Sequence, residues 1–174
     1  MIGIGKQFNF LSKSVLRCAS GLPVIPLPTF TVLRRCSLQI ETGNAGKLDT
    51  QGTGWFLGFS EWTRSGEAGA GSLRHMPVDC RSHGLCMKWM VHPAGDPRGI
   101  DKPVSEGRTM SILIGSGRFR IAFSGSKDFP PDATREIVLS DSGDFATWGA
   151  GIYHRYAVDA ECTVLTLRWI PDGN

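Results

Sequence analysis

The stretch from Gly143 to Trp169 constrains the fold most, because two strand-forming runs flank a glycine-rich turn. It reads GDFATWGAGIYHRYAVDAECTVLTLRW. The run DFATW is rich in β-forming residues, and residues 149–151 permit the positive φ angles that a tight turn between strands requires. In residues 162–169 both alternating sets of side chains are largely apolar, which favours a strand covered on both faces or lining a closed barrel. The stretch therefore predicts a β-hairpin that leads into a buried strand.

Further strand-like segments occur at short, regular intervals along the chain. They cover residues 52–59, 75–92, 109–114, 118–123 and 135–140. Residues 109–123 contain a Gly-Ser-Gly turn and predict a second hairpin. No segment shows the 3.6-residue apolar period of a helix, so the pattern predicts an all-β sandwich or barrel. Within 75–92, alternation predicts one apolar face formed by Leu85, Met87, Trp89 and Val91.

The spacing around the glycine turn, G-x5-G-x-G-x-x-H from Gly143 to His154, resembles the second motif of the cupin family. That motif is G-x5-P-x-G-x-x-H, and Gly149 stands here in the proline position. The segment SILIGSGRFRI resembles the cupin hairpin in which Gly115 would end the first motif. The resemblance covers about residues 52–171 and implies a single-domain cupin (RmlC-like) jelly-roll β-barrel with His154 pointing inside.

The first cupin motif, H-x-H-x3-4-E-x6-G, is not matched. Counting back seven residues from Gly115 gives Arg108 where the family has glutamate, and residues 102–105 contain no histidine. The resemblance therefore implies a degenerate metal motif, and we expect no metal or other cofactor. The alternative is a rearranged Fe, Mn, Ni or Zn site formed by His154, His92 and Glu106.

The second motif is present, whereas the metal ligands of the first motif are absent. This combination favours a barrel that binds a small polar or anionic molecule without a metal. Tyr156 shares a strand face with His154, and Lys88 or Arg108 would add positive charge for an anion. The ligand-binding candidates are therefore His154, Tyr156, Arg108 and Lys88. The plainer alternatives are a core histidine with satisfied hydrogen bonds and an exposed arginine. The five tryptophans would form either core or a sugar-stacking platform.

Two other function classes stay open. One is a metal-dependent cupin enzyme of the oxygenase or sugar isomerase/epimerase type, so whether the chain is an enzyme is uncertain. The other is a structural or dimerising barrel without a ligand. We expect a homodimer, because exposed strand edges need covering.

Residues 1–48 differ in composition from the remainder. They carry six basic side chains and one acidic one, whereas residues 49–174 carry 13 basic and 15 acidic ones. The composition predicts an N-terminal extension, disordered or targeting-like and dispensable for folding, before a barrel domain at 49–174.

Charge and cysteine content bear on partners and location. The mildly acidic barrel domain predicts no nucleic-acid partner. The sequence contains no run of 18 apolar residues, so we expect no membrane partner. Five cysteines without metal-ligand spacing favour reduced thiols. The expected location is cytoplasmic, or mitochondrial if residues 1–48 act as a presequence.

Overall fold

The computed structural model describes residues 38–59 and 72–172. Almost all of the regular structure in these residues is β-strand. The strands are β1 Ile40–Asn44, β2 Gly58–Phe59, β3 His75–Met76, β4 Ser82–His92, β5 Arg108–Ile114, β6 Arg118–Ser124, β7 Thr134–Leu139, β8 Asp144–Trp148, β9 Tyr153–Ala160 and β10 Cys162–Pro171. Short 3-10 turns span Ala45–Lys47, Pro97–Gly99 and Pro131–Ala133. No helix among the described residues is long and apolar enough to cross a membrane.

Two antiparallel sheets form the body of the domain. The large sheet has the strand order β1-β8-β5-β10-β4, and the small sheet has the order β7-β6-β9. The chain runs from β4 and β5 in the large sheet to β6 and β7 in the small one, and then crosses at β8, β9 and β10. This winding between two antiparallel sheets is that of a jelly roll. The all-β jelly roll predicted from the sequence is confirmed.

Both predicted hairpins are wrong, although their strands are present. Strand β8 pairs with β1 and β5, whereas β9 pairs with β6. Likewise β5 pairs with β8 and β10, whereas β6 pairs with β7 and β9. Gly151 has the predicted positive φ of 76°, but the turn passes the chain from one sheet to the other. A glycine turn permits a reversal without specifying whether the flanking strands pair.

Two apolar clusters lie on opposite faces of the large sheet. The inner cluster fills the space between the sheets and includes Phe119, Phe123 and Trp148. The outer cluster packs beneath residues 45–59. Its buried members are Met76, Met110, Ile112, Phe145 and Trp169.

The predicted domain boundary between residues 48 and 49 is wrong. Residues 40–44 form β1, which pairs along its whole length with β8. Glu41 forms a half-buried ion pair with Arg74, and Leu48 packs on the outer cluster. The segment from Leu38 onward therefore belongs to the barrel domain. The expectations for residues 1–37 lie outside the described residues.

Candidate functional site

His154 lies on the inner side of β9, shortly after the turn at Gly151. Its ring centroid is 5.0 Å from that of Trp148. Its Nδ1 lies 3.5 Å from the Ser105 hydroxyl, which accepts a hydrogen bond of 2.7 Å from Trp148 Nε1. Arg155, the next residue, points the other way and covers the ring of Phe129. The orientation agrees with the alternation predicted from the sequence.

Tyr156 lies two residues further on the same face. Its ring stacks on Phe119 with a centroid distance of 4.8 Å, and its hydroxyl lies 3.4 Å from Asp96 Oδ2. The Lys102 ammonium lies 5.2 Å from the centre of the Tyr156 ring. A Cβ at Gly99 would meet the Tyr156 carbonyl oxygen at 2.0 Å. Glycine there lets the segment that carries Lys102 pack directly on β9.

A row of polar side chains crosses the inner face of the large sheet. Lys88 on β4 pairs in register with Thr166 on β10, and the Thr166 hydroxyl lies 3.2 Å from that of Ser111 on β5. Arg168 lies two residues beyond Thr166 on β10, so its side chain points to the same inner face of the sheet. Lys88 is solvent-exposed, so the row opens to solvent along β4.

Lys88, Lys102 and Arg168 bring three positive charges to this region. In residues 38–59 and 72–172, none of the three forms an ion pair with a carboxylate. By contrast, Arg74, Arg118 and Arg120 all have carboxylate partners. The inner surface near β4 therefore concentrates positive charge that is not ion-paired, and the buried Asp96 carboxylate is a nearby negative charge that acts on Lys88.

The electrostatics of His154 reflect these cations. Burial, together with the charges of Arg168, Lys102 and Lys88, lowers the pKa of His154 to about 4, and burial is the largest of these causes. The imidazole is therefore neutral near pH 7. Lys88 is exposed at the sheet edge, yet partial desolvation lowers its pKa, and the neighbouring charges of Lys102, Arg98 and Arg168 add to that effect against the opposing charge of Asp96. The cations thus act on each other as well as on His154.

His92, a member of the alternative metal set, belongs to a buried ion network. Its Nδ1 lies 2.6 Å from Asp96 Oδ2, and Arg98 donates to both carboxylate oxygens of Asp96. The Arg98 hydrogen bonds hold the pKa of Asp96 well below its usual range. Burial outweighs the Asp96 carboxylate and lowers the pKa of His92. The neutral imidazole therefore donates to Asp96 and anchors the turn after β4.

The described residues do not bring together the ligands of the alternative metal set. Among the described residues, no three His, Cys, Asp or Glu side chains converge on a position that could hold one. Glu106 is exposed, and one ring nitrogen of His92 is bound to Asp96. The set of His154, His92 and Glu106 is therefore not assembled in this structure. The expectation that the protein holds no cofactor remains a prediction.

Arg108 is not part of the inner surface, which corrects its assignment to one site with His154. It shares the outer face of β5 with Met110 and Ile112, which belong to the outer cluster. Its Nη1 donates to the carbonyl oxygens of Leu73, at 3.1 Å, and His75, at 2.9 Å. Alternation along β5 places Thr109 and Ser111 inside instead. Arg108 therefore holds residues 73–75 against the outer face of the large sheet by hydrogen bonds.

Two inner-surface cations, Arg168 and Lys102, were not among the predicted site residues. The signal for Arg168 was available, because it has the same parity as Cys162 and Val164 in the alternating stretch. Lys102 carried no such signal. Its position depends on how residues 97–102 pack on Tyr156, which the sequence pattern does not contain.

The tryptophans divide between core and surface. Trp148 and Trp169 are buried, whereas Trp55 and Trp89 are 57% and 63% exposed. Trp62 lies outside the described residues. Trp89 is on the outer face of β4, opposite to the face that carries Lys88, so it does not stack over the polar row.

Two clefts of the domain lie away from the polar row. One, of about 940 Å³, is on the outer side and is lined by Glu41, His75 and Arg108 among others. The other, of about 1130 Å³, is lined by Ser126, Arg135 and Ile152 among others. Neither is lined by Lys88, Lys102 or Arg168.

Comparison with known proteins gives structural likenesses only. No protein-family model and no curated protein sequence matches the chain. Similar solved structures include the Streptomyces albus enzyme HEPD, with 2-hydroxyethylphosphonate and Fe(II) bound, at 14% identity and a TM-score of 0.41. A sugar 3,4-ketoisomerase from Thermoanaerobacterium thermosaccharolyticum matches at 18% identity and a TM-score of 0.39. A cupin superfamily protein from Desulfitobacterium hafniense matches at 12% identity and a TM-score of 0.37.

These matches are partial on both sides. They cover 52%, 57% and 53% of this chain, and 19%, 64% and 79% of the respective neighbours. The chain therefore spans about a fifth of the length of HEPD. At these identities and TM-scores, no activity or ligand can be transferred to this chain.

Proposed function

We propose that the protein binds a small anionic molecule on the inner surface formed by β4, β10 and the segment at Lys102. The observation that supports this function best is the group of three cations without carboxylate partners, Lys88, Lys102 and Arg168, beside a neutral His154. Like charges held close together repel each other. An anion bound between them is attracted to each cation, which offsets this repulsion.

The polar groups of this surface suit an oxyanion. Arginine presents a planar fork of donors and lysine a compact point charge, and both bind carboxylate and phosphate groups. The Thr166 hydroxyl lies opposite Lys88 in the register and is hydrogen-bonded to that of Ser111, so the pair adds one free donor. The neutral imidazole of His154 can donate or accept one further hydrogen bond. The ligand class is therefore a small molecule with at least one carboxylate or phosphate group.

The other function classes are less well supported. A metal-dependent enzyme would need ligands that the described residues do not bring together. A barrel with no ligand would leave the three inner cations without a role. The cytoplasmic location and the absence of nucleic-acid and membrane partners remain predictions.

Isothermal titration calorimetry with inorganic phosphate, and separately with citrate, tests the proposed function. Lys88→Gln and Arg168→Gln should each weaken binding about tenfold or more, since a charge-assisted hydrogen bond contributes about 1.5–3 kcal/mol. Lys127→Gln removes an exposed cation from a distant loop and is the matched control. Binding of neither anion to the wild type, or equal losses in the control and the two site variants, would reject the proposed function.

A further inference from the structure

The outer face of β4 carries a row of large apolar side chains that the described chain does not cover. Leu85, Met87, Trp89 and Val91 are 73%, 68%, 63% and 53% exposed. We call these four residues the outer row. Monomeric proteins seldom expose a contiguous apolar group of this kind without a binding role.

The neighbouring strand extends the outer row. Leu165 and Leu167 of β10 lie directly opposite Trp89 and Met87 in the register. Both leucines are only partly buried. The outer row and these leucines therefore form one continuous apolar surface across two adjacent strands.

We propose that a second copy of the chain packs on this surface, so that the outer faces of β4 and β10 from two molecules stack about a twofold axis. Side chains stand roughly perpendicular to a sheet, so only a layer stacked over the outer row covers it. A strand added to the edge of β4 would leave the outer row facing solvent.

Two features favour a second copy over a different partner. First, the surface presents no charged side chain among its six residues, so it has no electrostatic feature to select a partner of opposite charge. Stacking about a twofold axis places apolar groups against apolar groups, as a self-complementary interface requires.

Second, the area is sufficient for a specific dimer. If each of the four outer-row side chains exposes on the order of 100–150 Å², two copies supply about 1,000 Å², where specific interfaces begin. The other half of the outer face is already covered by residues 45–59 and Met76 of the same chain. The stacked copy would complete the cover.

Sedimentation equilibrium of the full-length chain tests the proposal. The wild type should be a dimer, and Trp89→Glu should weaken dimerisation at least about thirtyfold, the loss expected of a central aromatic anchor. The control is Val138→Glu, which places the same charge at an exposed apolar position on the other sheet, 37% exposed. This control should dimerise like the wild type. Circular dichroism should show both variants folded.

Two further measurements separate the stacked arrangement from its alternatives. Met87→Cys, with Cys18, Cys36, Cys80 and Cys86 replaced by serine, should form a covalent dimer on oxidation, because residues near a twofold axis face their own copies. In hydrogen exchange, the edge amides of β4 should exchange equally fast in the dimer and in the Trp89→Glu monomer. Protection of these amides on dimerisation would indicate strand pairing at the edge and overturn the stacked arrangement.

A monomeric wild type, or a dimer that survives Trp89→Glu, would also overturn the proposal. A monomer in which iodide fails to quench Trp89, measured as the difference from Trp89→Phe, would assign the cover of the outer row to another segment of the same chain.

Discussion

The two ends of the large sheet differ in how their faces are covered. At the β8–β5 end both faces are buried. Trp148 packs between the sheets, and Phe145 packs beneath residues 45–59. At the β4 end the cover is incomplete on both faces, although His92 at the end of β4 is buried against Phe119 and Tyr156. The inner face of this end carries Lys88 beside Arg168 of β10, and its outer face carries the outer row.

This difference shows that alternation alone does not specify burial. The strand at residues 82–92 and the strand at residues 144–148 both alternate side chains between two faces. Only β8 has neighbours above and below it, because the small sheet and residues 45–59 both lie at that end. The β8–β5 end is therefore where we expect stability, and the β4 end is where we expect binding.

The largest expected effect comes from removing β1, the edge strand at the β8–β5 end, together with residues 45–50 of its outer cover. A chain starting at Gln51 lacks β1 and Glu41, which leaves Arg74 half-buried without its ion-pair partner. Breaking a buried pair in this way costs about 3–5 kcal/mol, before the loss of the β1 ladder is counted. Chemical denaturation should show a loss of at least that size in the free energy of unfolding.

A chain starting at Leu38 keeps β1 and is the control for that truncation. It should unfold within about 1 kcal/mol of the full-length protein, because it keeps every strand of the described structure. Equal stability of the two truncated chains would mean that β1 does not stabilise the sheet.

Two tryptophans compare the ends directly. Trp148→Ala should lose about 3–5 kcal/mol of unfolding free energy, because Trp148 is fully packed between the sheets. Trp89→Ala, measured at a concentration where the chain is monomeric, should lose less than about 1 kcal/mol. Urea denaturation of both variants gives the comparison, and similar losses would contradict the difference between the ends.

The stability of the folded state should fall as pH is lowered from about 6.5 to about 4. The pKa of His154 is about 4 in the folded state, against 6.5 for an unperturbed histidine, so the unfolded chain binds the proton first and gains stability in this window. The size of the effect is at most about 3 kcal/mol.

His154→Gln isolates this contribution, since His75 and His92 also have lowered pKa values. The difference in unfolding free energy between wild type and His154→Gln should shrink as pH falls through the window. A constant difference from pH 7 to pH 4 would show that His154 titrates normally.

The smallest expected effect concerns an exposed ion pair on the small sheet. Arg120 pairs with Asp159 at 2.8 Å, and each side chain is 35% exposed. Asp159→Asn should leave the free energy of unfolding nearly unchanged, because solvent screens such pairs. A larger loss in thermal denaturation would mean that charges on the small sheet stabilise the fold as much as the core does.

The sequence predicted the strands and the fold class but not how the strands pair. Glycine turns at Gly115 and Gly151 marked the corners correctly, yet both were interpreted as hairpins. Whether two strands joined by a turn pair depends on which sheet each one joins, and that depends on distant segments such as β1. The same limit explains the wrong boundary at residue 48, because the pairing of residues 40–44 with β8 is non-local.

The candidate site was predicted only in part, because contacts between distant segments leave no pattern in the sequence. His154, Tyr156 and Lys88 could be assigned to faces by alternation within single strands, and the structure places them as alternation predicts. Arg108 was misplaced because its side was inferred from a motif position, whereas its parity with Met110 and Ile112 puts it outside. Lys102 depends on a loop packed on Tyr156 and carries no periodic signal.

The most direct test of the central claim, that the cations of the β4 end bind an anion, is the pKa of His154 measured by NMR. In the free protein it should be about 4. Because burial and three cations lower this pKa, a bound phosphate or citrate ion should raise it by at least about one unit. The rise should disappear in the Lys88→Gln/Arg168→Gln double variant. A His154 pKa that does not respond to either anion, or that responds equally in the double variant, would contradict the account.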